Sequence, residues 1–294
     1  MAALKRLLVA TDFSAMADYA IERAALIARD AGASLDLIHI TTLAVLTKVR
    51  RLAEETPAEI EQALPSTARD ELEKQAEAVW IRHGLSGSIH LASGSLVKEL
   101  AQHAAKSAAD IVVLGFCGAS LARHFLLGST AERLLTESPC PILVVKKRPH
   151  DRYRSVLVPV DFSLISLPSL AGARSLAPEA RMSILHVFEA PFEGKLYYAG
   201  VGEETIEHYR NITQHEVMQK LLTLCAEAKI DPHGVRLLAL HGHPSQRIVA
   251  REAHQNFDLI VMGNQGENVF ENLFVGSVPR RVIAKSACDV LICI

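Results

Sequence analysis

The chain has 294 residues, 49% hydrophobic and 22% charged, and its 31 Lys and Arg nearly balance 33 Asp and Glu for a net charge of −2. That length suggests two domains, and a near-neutral balance supplies no global field for a nucleic-acid backbone or an anionic membrane. No apolar run approaches the roughly eighteen residues that span a bilayer. The first residues read as a strand, not a signal peptide, so a cytoplasmic protein is expected, with no nucleic-acid and no membrane partner.

In chain order, the strand-length run 7–10 (L-L-V-A) precedes an amphipathic stretch over Ala15–Ala31, and 35–40 (L-D-L-I-H-I) follows as a second strand. Residues 41–66 are helix-prone, with charged clusters that suit a solvated face. Helical patterns over Ala68–His83, Leu96–Ser107 and Ser129–Glu137 alternate with strand runs at 88–92, 111–115 and 142–145. The strand runs are short, β-branched and apolar on both faces, as parallel strands buried under helices must be. Strand–helix alternation of this kind predicts an α/β doubly wound parallel sheet. In such sheets ligands bind at the carboxyl ends of strands, near the switch in strand order.

The second half repeats the first. L-L-V-A-T-D-F-S (7–14) matches V-L-V-P-V-D-F-S (156–163), so Asp12 pairs with Asp161; His39 pairs with His186 and Gly94 with Gly242. D-I-V-V-L-G (110–115) matches D-L-I-V-M-G (258–263), and P-I-L-V-V (141–145) matches D-V-L-I-C (289–293). The expected domains are 1–148 and 149–294, joined through the charged stretch 146–154. An unpaired apolar edge strand invites aggregation. The last strand of each half is therefore expected to pair with the other inside one chain. That makes a pseudo-dimer, with a further homodimer of the unit as an alternative.

After the fourth strand of each half comes a glycine pattern, G-x2-G-x9-G-S. In the first half it is Gly115, Gly118, Gly128 and Ser129; in the second it is Gly263, Gly266, Gly276 and Ser277. Glycines at a strand end let backbone amides turn toward an anion and leave room for its approach. Thr130 and Val278 stand at the start of the following helices, whose free N–H groups favour phosphate. The competing reading is ordinary turn glycines with a Ser N-cap. The pattern is neither a P-loop nor the dinucleotide G-x-G-x-x-G.

Taken together, the V-x-x-D-F-S ends of the first strands, the L-x-H-[IV] second strands and the two G-x2-G-x9-G-S loops resemble the universal stress protein family in its tandem form. The resemblance covers nearly the whole chain. It implies two adenine nucleotide alpha hydrolase-like domains, each a five-stranded parallel sheet flanked by helices. It also implies ATP as ligand, accompanied by Mg²⁺ with few protein ligands. By the same resemblance Asp12 and Asp161 contact the ribose or adenine side, and the backbone of Ile40 and Val187 holds the adenine edge. The glycine loops with Ser129, Thr130, Ser277 and Val278 hold ribose and phosphates. For Asp12 and Asp161 the alternative is helix capping, with Ser14 and Ser163 as competing caps.

The remaining signals are weaker. The five cysteines lack C-x-x-C spacing, and buried reduced thiols are the expected state. His241-Gly242-His243 reads as a turn beside the pocket rather than a zinc pair, having no third ligand nearby. His39 and His186 read as satisfied core histidines. Residues 188–204 read as a loop that covers the second pocket, contacts a partner or merely lies on the surface. No Ser-His-Asp or Cys-His set and no paired carboxylates appear, so no catalytic residue and no dedicated chemistry are assigned. The expected function is a nucleotide-responsive stress regulator with protein partners yet to be identified. The alternatives are a slow ATPase or nucleotidyl-transfer enzyme, or an interaction module with vestigial pockets. The second pocket, with V-P-V-D, Gly242-His243-Pro244, Asn264 and Gln265, is expected to be the better nucleotide site. The first has V-A-T-D, Gly94-Ser95-Leu96, Phe116 and Cys117 at those places.

Overall fold

The computed structural model describes residues 4–42, 57–116, 129–190, 193, 198–265 and 276–294, with backbone alone for 57–65 and 129–132. The first half comprises β1 (Arg6–Thr11), α1 (Ala15–Ala31), β2 (Ser34–Thr42), α2 (Pro57–His83) and β3 (Ile89–Gly94), then α3 (Leu96–Ser107), β4 (Ile111–Gly115), α4 (Ser129–Glu137) and β5 (Ile142–Val145). The second comprises β6 (Ser155–Pro159), α5 (Ser166–Leu176), β7 (Arg181–Phe188), α6 (Glu203–Glu227) and β8 (Arg236–His241), then α7 (Pro244–Gln255), β9 (Leu259–Gly263), α8 (Ser277–Lys285) and β10 (Asp289–Cys293). Thus α2 begins at Pro57, earlier than the periodicity alone places it. The presumed loop 188–204 gives way to helix at Glu203.

The strands form a single ten-stranded sheet in the order β3-β2-β1-β4-β5-β10-β9-β6-β7-β8. Among the described residues, pairing is parallel within each half and antiparallel only between β5 and β10. The carboxyl ends of the two sets of strands therefore point opposite ways across the junction. In each half the strand order switches at the first strand: β1 lies between β2 and β4, and β6 between β7 and β9. Asp12 follows β1 directly, and Asp161 follows β6 after Val160.

Each face of the sheet carries one core running through both halves. On one face α1, α2, α5 and α6 cover Leu7, Val9, Leu143, Val156, Val261 and Leu291. On the other α3, α4, α7 and α8 cover Leu8, Ile142, Val144, Leu157, Ile260 and Val290. The central strands are buried on both sides, which is why their sequences lack a period-two pattern. Helix α1 meets the sheet with Ala17, Ala20, Ala24, Ala25 and Ala28, all buried. These small side chains let its backbone approach closely. It is capped by Ser14, whose Oγ accepts from the Ala17 amide at 3.3 Å, and it ends at Gly32 with φ 66°.

A buried polar network ties the linker to this junction. Asp289, 2% exposed, accepts from the Tyr153 hydroxyl at 2.8 Å and from the Lys146 amide at 2.8 Å. Arg23 of α1 places Nε 3.3 Å from Asp289, donates from Nη1 to the Asp151 carbonyl at 2.7 Å and stacks 4.0 Å over the Tyr153 ring. Neither partner has a counterpart in the repeat: Gly172 stands where Arg23 would recur, and Pro141 where Asp289 would.

Candidate functional site

Both switch points are built around the same turn. Asp12 and Asp161 accept, through Oδ1, the amides of Ser14 and Ser163, each at 3.1 Å. The residue between, Phe13 or Phe162, is forced into the left-handed region with φ 62° or 65°. That conformation is costly for an aromatic residue and persists only where surroundings over-determine it. Here the phenylalanine rings pack on His39 and His186, with ring centroids 4.4 Å apart in both halves. The histidines are fixed in turn, since their Nδ1 atoms donate to the Thr11 and Val160 carbonyls at 2.9 and 2.8 Å. They are satisfied structural histidines that hold the turn, as the residue pattern suggested.

In the second half this turn borders a small cleft with a cavity volume of about 130 Å³. Its floor is apolar, from Leu185, Val187, Ile248, Met262 and Val278. Its polar lining comprises Asp161, Ser163, Ser166, Ser169, His186 and Gln265. Pairing of β6 with β7 ends at Pro159 and Leu185, and the Phe188 carbonyl receives Gly242 N–H on the β8 side. Alternation along the strand turns the backbone groups of Val187 to the other side, past the end of β6. Val187 thus offers its main chain to the cleft. Pro244, at the first turn of α7, and Pro279, in α8, close the rim.

The glycines differ in what they do. A Cβ on Gly263 would lie 2.9 Å from Ile165 Cγ2, so its bareness lets Ile165 sit against the strand end. Gly276 occupies the N-cap of α8 with φ −57°, and a Cβ there would lie 3.3 Å from Pro279 Cδ. Ser277 and Val278 open that helix, and Gly276 N–H donates to the Asn264 carbonyl at 2.8 Å. In the first half a Cβ on Gly115 would strike the Met16 backbone at 2.7 Å. Gly115 is required by helix packing whether or not an anion binds. Ser129 and Thr130 are the first two residues of α4. Gly118, Gly128 and Gly266 lie outside the described residues.

Asp12 and Asp161 part company in capping. Ser14 caps α1, whereas Ser163 does not cap α5, which starts later and has Ile165 at its N-cap without a side-chain bond. Phe116, after Gly115, packs beneath Lys146, whose Nζ lies 4.6 Å from the ring centroid. The same Nζ donates to the Ile283 carbonyl and, at 2.8 Å, to both the carbonyl and the hydroxyl of Ser286. Lys146 thus closes the last turn of α8. The turn after β8 has Gly242 at φ 127°. His241 pairs with Glu193 at 2.7 Å, and His243 meets Ser245 Oγ at 3.2 Å. Glu193 also binds Arg210, and these donors hold its carboxyl below the usual range. Among the described residues no three His, Cys, Asp or Glu side chains form a metal-binding group. Cys140, Cys225, Cys288 and Cys293 are buried free thiols. Burial pushes the Cys140 and Cys293 thiols up to about 11, which leaves them protonated and inert.

Two stretches of the chain, residues 3–146 and 152–293, match the model of the universal stress protein family. A universal stress protein of Methanocaldococcus jannaschii is 32% identical over 143 residues, covering 48% of this chain and 81% of that protein. The Bacillus subtilis universal stress protein YxiE is 31% identical over 150 residues, covering 48% of this chain and 98% of its own length. Over nearly the whole chain, the fold matches a universal stress protein structure from Archaeoglobus fulgidus with a TM-score of 0.64 at 21% identity, covering 98% and 97% of the two chains. No helix among the described residues is long and apolar enough to cross a membrane.

Proposed function

Since this chain belongs to the universal stress protein family, with one copy of the family domain in each half, we propose that it is an ATP-binding stress regulator working in the cytoplasm. The observation that carries the reading is the second-half cleft, where Val187, Asp161, Gly263 and Gln265 border the apolar side chains of Leu185, Ile248, Met262 and Val278. The adenine edge would meet Val187, the ribose Asp161, and the phosphates the amides of Gly263, Gly266, Gly276, Ser277 and Val278. The first half would use Asp12, Ile40, Gly115, Gly118, Gly128, Ser129 and Thr130 in the same roles. The Val187 main chain, which runs past the end of β6, fits such a ligand. ATP would bring a polyanionic tail with a hydrated Mg²⁺, so few carboxylate ligands are needed.

Among the described residues, the titratable side chains lining the cleft, Asp161 and His186, are both tied into the fold. The reading therefore assigns nucleotide-dependent regulation and no catalytic residue. Native mass spectrometry of the purified full chain tests it directly. A co-purified mass matching ATP or another adenine nucleotide is the expected result. A bare protein that also gives no heat with ATP and Mg²⁺ in calorimetry would remove the reading.

A further inference from the structure

The two aspartates hold equivalent places, yet their neighbours treat them differently. In the first half the Ser14 hydroxyl is used as the cap of α1, and the next two positions facing the turn are Ala17 and Ala20. In the second half those positions are Ser166 and Ser169, which are 3% and 1% exposed and line the cleft. Ser163, released from capping, donates its hydroxyl to Asp161 Oδ1 at 2.6 Å, and Ser166 Oγ donates to the same oxygen at 3.2 Å. With the Ser163 amide at 3.1 Å, one carboxylate oxygen receives three donors. Such an array fixes the orientation of the carboxylate before any ligand arrives and leaves Oδ2 outside it.

Strand order says what Oδ2 meets. Across the cleft the strands run β9-β6-β7, so Asp161, at the end of β6, stands between the Gly263 turn and Val187. On the nucleotide reading above, a ligand with its base at Val187 and its phosphates at the glycine turn has its sugar opposite Asp161. We propose that Ser163 and Ser166 are positioning residues that aim Asp161 at the ribose diol, so that the second-half cleft discriminates ribonucleotides from deoxynucleotides. This inference rests on that reading. A diol hydroxyl donating to a fixed carboxylate is a charge-assisted bond. A ligand lacking it loses the bond and leaves the carboxylate unpaired.

The test uses the full chain with ¹³C-methyl methionine, titrated separately with ATP, 2′-deoxy-ATP and 3′-deoxy-ATP. Met262, on the cleft floor and 5% exposed, reports this cleft alone. We expect one or both deoxynucleotides to bind about tenfold more weakly than ATP. Ser166→Ala should shrink that ratio below about threefold, Ser163→Ala should do the same, and Ser166→Thr should preserve it. Alanine at 166 is what the first half carries at Ala17, and Ser163→Ala serves if that variant does not fold. Equal binding of all three nucleotides by the natural chain would overturn the proposal. So would an unchanged ratio in both alanine variants. If none of the three moves the Met262 signal, the nucleotide reading itself fails, and the proposal with it.

Discussion

Leu143 and Leu291 are equivalent residues of the two halves, and they face each other across the antiparallel junction of β5 and β10. Val144 pairs with Val290 and Ile142 with Ile292, so the pseudo-two-fold axis of the molecule passes between the two leucines. All six side chains are at most 7% exposed. A half-chain ending near residue 148 would leave β5 as a bare apolar edge. Because the junction is nearly self-complementary, such a half should pair β5 with β5 of a second copy. Analytical ultracentrifugation of residues 1–148 should show a dimer or larger species. A folded monomer at micromolar concentration would contradict this.

The buried set Arg23–Asp289–Tyr153 predicts a large and asymmetric stability effect. Removing one partner of a buried ion pair strands the other, at a cost of about 3–5 kcal/mol. Asp289→Ala should approach that figure, because Tyr153 and the Lys146 amide lose their acceptor as well. Tyr153→Phe loses one hydrogen bond and should cost about 1–2 kcal/mol. Urea unfolding of the full chain measures both. An Asp289→Ala protein within 1 kcal/mol of the natural chain, taken as about the net value of one hydrogen bond, would show that the network is not stabilising.

Glycine substitutions should separate packing from binding. Gly115→Ala drives a methyl into the Met16 backbone and should destabilise the fold, lowering the melting temperature. Gly276→Ala meets Pro279 Cδ at 3.3 Å as its tightest neighbour, with the Asn264 carbonyl oxygen at 3.5 Å in ordinary contact, so the fold should survive it. Gly276→Val should abolish nucleotide binding in the second cleft while circular dichroism stays native. Unchanged ATP affinity in folded Gly276→Val would exclude this turn from the site.

The two proposed nucleotide sites should bind unequally, the second being tighter by roughly five- to thirty-fold, the value of one or two hydrogen bonds. Phe116 stands where the second half has Asn264, and its ring faces Lys146 rather than offering a donor. Met16 and Met262 give separate methyl signals for the two halves in one titration of the full chain. Saturation of Met16 at lower ATP than Met262 would reverse the order.

Stability should fall on acidification. His90 on β3 and His103 on α3 pack with ring centroids 4.0 Å apart and ring planes tilted by 51°, and burial lowers both pKa values from 6.5. Arg6 disfavours protonation of His90, His90 disfavours that of His103, and Lys106 disfavours both; Asp36 opposes this. The unfolded chain therefore binds protons more readily than the folded one. The stabilisation is complete above pH 6.5 and is lost as pH drops below it. The melting temperature should decline from pH 7 to pH 5, and His103→Gln should flatten part of that slope. An identical slope in the variant would refute the assignment.

Much of the architecture was legible in the residues themselves. The alternation of double-sided apolar runs with amphipathic stretches placed every strand of the first half. The matched D-F-S ends and glycine spacings located both switch points, because short-range periodicity and repetition survive in one dimension. Contacts that depend on distant pairing were not legible. Arg23 and Asp289 are 266 positions apart and lie outside the repeat, so only the antiparallel closure of β5 on β10 brings them together. Nor did the shared D-F-S motif reveal that Ser14 caps a helix while Ser163 braces Asp161. That choice follows from where each helix begins, and α5 starts at Ser166 with no side-chain cap, whereas α1 starts at Ala15 on Ser14. The packing demand on Gly115 was not legible either, because local sequence cannot show that the Met16 backbone lies against it. The sequence by itself determined the repeat, the strands and the places where a ligand could sit. The tertiary structure decided which polar groups meet there, since that depends on packing between segments that local sequence does not couple.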